Sequence, residues 1–288
     1  MTAFAELLIN GLVSGLVIGL AALAITLVFG IARFANAATG DVMTLGAYAA
    51  LAASGMTGSL VLGGLAGAAL GALAGLAGYL LVFRRLSGRS SVAALLASIG
   101  VAFVIRAFMG VAFGHQQQVF QMPLLRPWRI LDIRIHPNDL KLSLVVLLAL
   151  AAVFALLHLT PIGRRMRAVA DDPALARVSG ISPHKVMMAL WLLAGAVSGL
   201  AGTIIGIKTV VSPEMGWELL LPAFAAAILG GIGHAGGAIV AGIALGIVQE
   251  IATPFVGFTY KIALSFIVLL AVLLVRPKGL FGTVAGAR

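Results

Sequence analysis

Leu7-Leu8-Ile9-Asn10-Gly11-Leu12-Val13-Ser14-Gly15-Leu16-Val17-Ile18-Gly19-Leu20-Ala21-Ala22-Leu23-Ala24-Ile25-Thr26-Leu27-Val28-Phe29-Gly30-Ile31 carries no charged side chain from end to end. A bilayer core about 30 Å thick takes roughly 20 apolar residues of helix, so this run is long enough to cross it. No Lys or Arg precedes it and it exceeds a signal-peptide core, so it reads as a retained membrane helix. Working outward, apolar runs recur at 42–54, 60–83, 91–113, 142–159, 186–207, 219–232, 235–251 and 262–275. The run at 42–54 spans only if the polar stretch 36–41 begins its helix inside the membrane, which makes the second helix a broken one. The expected fold is all-α, a polytopic transmembrane helix bundle of eight or nine spans in a single domain over residues 1–288.

The composition excludes a soluble domain. Of 288 residues 61% are apolar and 10% charged, and the mean hydropathy is +1.15. With no cysteine, disulfides and cysteine-ligated metals are ruled out. A net charge of +10 and a pI near 11.1 would point a soluble chain toward nucleic acid. Position along the chain decides otherwise. With the 164–182 loop placed inside and the spans alternated, Arg33, Arg84, Arg85, Arg89, Arg164, Arg165, Arg167, Arg177, Lys185, Arg276, Lys278 and Arg288 fall inside. Arg126, Arg129, Arg134, Lys141, Lys208 and Lys261 fall outside. Basic residues favour the cytoplasmic ends of helices, so the bias predicts an outside N-terminus and a cytoplasmic C-terminus, with no nucleic acid involved.

Glycines recur every fourth residue at Gly11, Gly15 and Gly19 and at Gly63, Gly67, Gly71 and Gly75, with shorter echoes at Gly195/Gly199, Gly202/Gly206 and Gly242/Gly246. Each set makes a smooth helical face on which two backbones can approach closely, either in a static bundle or in helices that slide during transport.

Several motifs are tempting and fail. Gly231-Ile232-Gly233-His234-Ala235-Gly236 matches a dinucleotide fingerprint, yet too few residues separate it from Glu250 for a helix and a second strand. It reads as a tight turn between membrane helices. Around Gly206 and Lys208 a phosphate loop is imitated without the adjacent Gly-Lys it needs. His115, His136, His158, His184 and His234 lack ligand spacing, so no metal site is expected.

The polar residues inside the apolar chain need a reason. Asn36, Thr39, Gly40 and Asp41 interrupt it, and an acid at membrane depth faces a cavity or a partner. Either a broken helix here presents its amides and the Asn36 and Thr39 side chains to a small polar solute, or the segment is an interfacial turn. Arg106 is expected to snorkel outward, Gln249 and Glu250 to lie at the interface, and the 114–139 loop to face outside. On the inner side, Thr160-Pro161-Ile162-Gly163 stops a span. Arg164 to Ala170 then reads as a short basic helix, and Asp172, with Pro173 at the first turn, caps another that ends before Gly180. The pair forms either a surface that another protein can grip or a solvated basic loop.

The stretch from Gly163-Arg164-Arg165-Met166-Arg167-Ala168-Val169-Ala170-Asp171-Asp172-Pro173 through Ala176-Arg177 to Gly180-Ile181 resembles the loop that docks the ATPase in the permease subunits of branched-chain amino-acid ABC importers, of the shorter LivH type. Ala223 to Gly233 with Gly236-Gly237-Ala238 is similar to that family's glycine-rich turn, and Arg276-Pro277-Lys278-Gly279-Leu280-Phe281-Gly282 to its C-terminal signature. The resemblance implies a translocation subunit and not an enzyme. It implies a cytoplasmic coupling loop at 160–183 whose docking residues include Gly163, Arg164, Arg165, Arg167, Asp171, Asp172, Pro173, Arg177 and Gly180. Implied partners are a second permease, two ATPase subunits that use the ATP, and an extracytoplasmic solute-binding protein, all at a bacterial inner membrane. No cofactor is expected on this chain. Family members commonly read Asn-Phe-Ala-His-Gly-Asp or Glu where this chain has Asn36-Ala37-Ala38-Thr39-Gly40-Asp41, so a ring and an imidazole are missing. Urea, short amides or another small metabolite therefore stay open as solutes. An ion-coupled carrier acting alone would need more buried titratable groups than Asp41, Arg106 and Glu250.

Overall fold

The computed structural model describes residues 2–122, 126, 128–130, 133–257, 260–276 and 279–281. Lys278, Pro277, Gly282 and Arg288 lie outside the described residues. The apolar runs become helices: α1 (Thr2–Ala32), α2 (Ala38–Thr57), α3 (Leu60–Leu81), α4 (Ser91–Phe113), α5 (Pro137–Leu159), α8 (Pro183–Lys208), α9 (Met215–Gly230), α10 (Ala235–Val256) and α11 (Lys261–Val275), with the short α6 (Pro161–Asp171) and α7 (Pro173–Val178) between α5 and α8. Six of them, α1, α3, α4, α5, α8 and α10, are long and apolar enough to cross a membrane, and α9 and α11 are shorter apolar helices. Phe103, Phe108, Leu144, Leu148, Leu270 and Leu274 are exposed on α4, α5 and α11. An apolar surface of that extent belongs in lipid, and the chain is a polytopic helical membrane protein.

Local chemistry sets the helix ends. Gly58, left-handed at φ 66°, closes α2, and Ser59 and Ser90 accept from Leu62 and Ala93 amides at the starts of α3 and α4. One exception to the all-α expectation is an antiparallel ribbon, β1 (Trp128–Ile130) with β2 (Ile133–Ile135), pairing Trp128 with Ile135 and Ile130 with Ile133. Two three-residue strands rich in β-branched and aromatic residues give too short a pattern to be read against a background of long apolar helices.

The chain divides into two compact units. The first comprises Met1–Thr26, Gln121–Leu147 and Glu218–Arg288. In it the Gly11, Gly15, Gly19 stripe lies directly on the α10 backbone: a Cβ added to Gly11 would meet the Ile247 Cα at 2.7 Å, and one on Gly15 the Ile243 Cα at 2.7 Å. The glycine motif between α9 and α10 is the expected tight turn, with Gly231 at φ 99° and Gly233 at φ 85°. His234 accepts from the Gly237 amide at 2.9 Å and caps α10. The chain then returns to this turn, since the Leu280 amide donates to the Leu229 carbonyl at 2.8 Å and Phe281 stacks on the His234 ring. Gln249 donates to Lys261 O and Ser265 Oγ, and Lys261 pairs with Glu250 at 2.7 Å, so these polar groups form the corner between α10 and α11.

The second unit comprises Leu27–Phe120 and Leu148–Trp217. Its core is α3 on α8 with α2 against both. A Cβ on Gly71 would meet the Gly199 Cα at 2.8 Å, and one on Gly46 the Gly199 carbonyl at 2.6 Å. Thr203 on α8 donates across the contact to the Gly46 carbonyl of α2 at 3.4 Å as well as to Gly199 O of its own helix at 2.9 Å. The break expected within the second helix falls ahead of it. Residues 33–37 are non-helical and α2 then runs on without interruption. Arg33 makes the break. Its amide closes α1 on the Phe29 carbonyl at 3.0 Å while its φ of 58° turns the chain away. A non-glycine residue in that region costs about 1–2 kcal/mol, so the side chain must be wanted there.

Candidate functional site

The polar segment and the inner loop both lie in the second unit. Asn36, Thr39, Gly40 and Asp41 are all buried at the start of α2. Asn36 and Thr39 spend hydrogen bonds on their own segment: Asn36 Oδ1 accepts from the Ala38 amide at 3.2 Å, and Thr39 Oγ1 donates to Asn36 O at 2.8 Å. Ser98 on α4 accepts from the Ala37 amide at 3.0 Å. Gly40 presents its carbonyl to Gly216, whose amide donates to Thr44 Oγ1 at 3.1 Å. Amides that the solute-facing alternative would offer are thus partly taken up by the fold.

Asp41 behaves differently from its neighbours. Its carboxylate receives Arg106 Nε at 3.0 Å and Nη2 at 3.1 Å, a two-pronged ion pair with Asp41 fully enclosed. The guanidinium also lies over Phe103 at 5.5 Å and Trp217 at 5.1 Å. Arg106 therefore does not snorkel outward, because a carboxylate and two ring faces inside the unit offer its charge more than a reach to the interface would. Sequence reading weighed the acid and the base separately. Their shared signal was that each stood alone in an apolar run. Ser98, Thr44 and Trp217 were missed altogether, and Arg33 was placed only as one of the inside charges.

Beside Asn36 and Thr39, against Trp191 and Ser198, lies a cavity of about 20 Å³. That is room for on the order of one water and not for an amino acid. Phe83 stacks on Trp191 with centroids 4.6 Å apart, and Phe34 leans on both at 5.2 and 6.2 Å. Phe83 and Trp191 also line a second cleft of about 240 Å³ that reaches Arg33, Phe34 and Arg89. Phe83 and Trp191 thus line both spaces, and Phe34 the larger one.

The inner loop folds as two capped helices. α6 buries Gly163, Met166 and Val169 and leaves Arg164, Arg165 and Arg167 exposed. Gly163 touches the Leu157 carbonyl so closely that no side chain fits, and Arg167 donates to the same carbonyl at 2.7 Å. Asp172 caps α7 as expected, its Oδ1 accepting from the Ala174 and Leu175 amides at 2.8 and 3.0 Å, with Pro173 in the first turn. The Leu175 amide, then that of Ala174 and more weakly the Arg33 charge, hold the Asp172 carboxyl below the ordinary carboxylate range. Gly180 at φ 80° follows the end of α7 at Val178, its amide donating to the Arg177 carbonyl at 3.1 Å. Leu175 and Val178 project from α7, 64% and 87% exposed. Asp171 ends α6, and its carbonyl and that of Ala170 accept from Arg33 Nη2 at 3.4 and 2.7 Å.

A multi-pass helical protein with a buried polar break and a capped helical pair between spans has the architecture of a solute-moving membrane protein. The chain belongs to the family described as branched-chain amino acid transport system / permease component, whose family model matches residues 7–274. It is 29% identical to the high-affinity branched-chain amino acid transport system permease protein LivH of Escherichia coli strain K12 over 97% of this chain and 96% of that one. It is 27% identical to BraD, the permease protein of the same description in Pseudomonas aeruginosa, with the same coverage of both. LivM, a second permease protein of the Escherichia coli system, is 31% identical over 48% of this chain and 32% of its own length.

Proposed function

We propose that this chain is the translocation subunit of an ATP-driven importer that carries branched-chain amino acids across a bacterial inner membrane. It works beside a second permease, as the likeness to both LivH and LivM supports. The observation that carries the reading is the α6–α7 pair, a rigidly capped element with cationic Arg164 and Arg165 and bare apolar Leu175 and Val178. A cytoplasmic ATPase docks there and hydrolyses the ATP. An extracytoplasmic binding protein delivers the solute, and transport proceeds by a shift between two states without covalent chemistry on this chain, which acts as one permease domain.

The topology is an outside N-terminus, a cytoplasmic C-terminus and nine spans, with α2 counted among them. Contacts between loops support it. Arg33, assigned inside, bonds the inner α6, and Gln118 of the outer 114–139 loop exchanges amide bonds at 2.7 and 2.8 Å with Val211, three residues beyond Lys208, which is assigned outside. The test is copurification and uptake in reconstituted vesicles. Leu175→Glu with Val178→Glu is expected to lose the ATPase and ATP-dependent leucine uptake together, while the permease stays folded. Retained ATPase, or uptake that persists without ATP, refutes the importer reading. Uptake of urea or a short amide in place of leucine would keep the mechanism and change the solute.

A further inference from the structure

The break between α1 and α2 joins the two features that the family reading leaves separate. Arg33 is the one non-glycine residue with a left-handed backbone among the described residues. Its guanidinium binds the last carbonyls of α6, the negative end of that helix, where unsatisfied acceptors want a cation. The next residue, Phe34, is buried in the aromatic layer with Phe83 and Trp191. Three residues beyond Arg33 stands Asn36, beside the 20 Å³ cavity. Phe34 follows Arg33 directly in the chain, its Cα about 3.8 Å away, so a displacement of α6 that carries the Arg33 backbone carries Phe34 with it.

We infer that Arg33 is the positioning residue through which α6 works an aromatic gate made of Phe34, Phe83 and Trp191. The gate stands between the cavity at Asn36 and the 240 Å³ cleft that opens beside Arg33. In the present arrangement it is shut. When the docked ATPase moves α6, the Arg33 bonds carry the movement into residues 33–37, Phe34 leaves the stack, and the two spaces become continuous. This rests on the proposed docking at α6–α7, but the gate is testable without it. Arginine here outweighs the glycine that the backbone alone would favour because the fork of its side chain is the linkage.

Because the chain has no cysteine, Ser198→Cys, on α8 at the edge of the small cavity, makes a single-site reporter for a small membrane-impermeant thiol reagent applied from the cytoplasmic side. In the assembled complex, labelling is expected to differ by roughly threefold or more between nucleotide-free and nucleotide-trapped states. Arg33→Gly keeps the left-handed backbone and removes the fork. It is expected to erase that difference while the ATPase still copurifies, and Arg33→Lys to restore part of it. Phe34→Ala is expected to expose the thiol in the permease alone. Labelling of Arg33→Gly that still follows nucleotide as in the parent overturns the role of Arg33, and equal labelling of Phe34→Ala and its parent overturns the gate. Failure of the ATPase to copurify with the parent chain would count against the docking site, and the Phe34→Ala comparison would still decide the gate.

Discussion

Replacing Asp41 with leucine strands the Arg106 guanidinium among Phe103, Trp217 and an apolar side chain, whereas Arg106→Met strands the carboxylate. The two are not equivalent. The Asp41 side chain is 0% exposed and that of Arg106 20%. Removing one partner of a buried pair costs about 3–5 kcal/mol. Partial access to solvent and two ring contacts lower the penalty for the orphaned arginine, so Asp41→Leu is expected to cost about 2–4 kcal/mol. Arg106→Met leaves a wholly enclosed anion and is expected at the upper end, about 4–5 kcal/mol. The double variant carries no charge to strand and should lie within about 1–2 kcal/mol of the parent. The coupling in the cycle is then at least about 4 kcal/mol. Denaturant titration in mixed detergent micelles, followed by tryptophan fluorescence with Trp217 5.1 Å from the guanidinium as a local reporter, measures all four forms. Additivity within about 0.5 kcal/mol would refute the reasoning, because two independent sites behave in that way and a desolvated pair does not.

Three further outcomes follow from particular contacts. Gly242→Ala places a methyl 2.5 Å from the Gly19 Cα and is expected to destabilise by roughly 1–3 kcal/mol, while Gly55→Ala on α2, which meets nothing within 4 Å, is expected to be neutral or to gain up to about 1 kcal/mol; the same titration compares them. Tyr48 buries its hydroxyl without a hydrogen-bond partner while its ring stacks on Phe113 at 4.6 Å, so Tyr48→Phe should leave stability unchanged or raise it by about 1 kcal/mol, and a loss would mean the hydroxyl is paired. The Asp172 carboxyl titrates lower in the folded protein than in the unfolded chain. Its contribution to α7 is therefore full above the unfolded value and fades as pH falls through the folded one, so the protection of the Ala174 and Leu175 amides, taken relative to their intrinsic exchange rates at each pH, should fall on acidification in the parent and lose that dependence in Asp172→Asn.

What could be read ahead of the structure was whatever neighbours in sequence decide. The limits of α4 are set by Ser90 and Gly114, and the start of α7 by Asp172 and Pro173, so both were visible in the chain itself. The glycine stripes announced close contacts without naming the opposite helix. The candidate site fared less well, because its chemistry depends on which faces meet. Asp41 and Arg106 lie 65 positions apart, and no local rule joins them. Asn36 and Thr39 looked available to a solute because their bonding to their own turn is a matter of backbone geometry. Arg33 gave no warning at all, since a left-handed turn ordinarily announces itself with glycine or asparagine.

The backbone contact between α1 and α10 also says something about how the molecule is made. Gly15 rests against Ile243, so α1 leaves the ribosome 228 residues (243 − 15) ahead of the part of α10 it packs on. At about 5–20 residues per second that interval is on the order of ten to forty-five seconds. A polar face could not be kept waiting in lipid for so long, but a glycine stripe has all its amides bonded within the helix and can be coated by acyl chains in the meantime. The hazard is the opposite one, premature capture of the smooth face by another nascent helix, and biogenesis of this protein should be sensitive to how crowded the membrane is while α10 is still unmade.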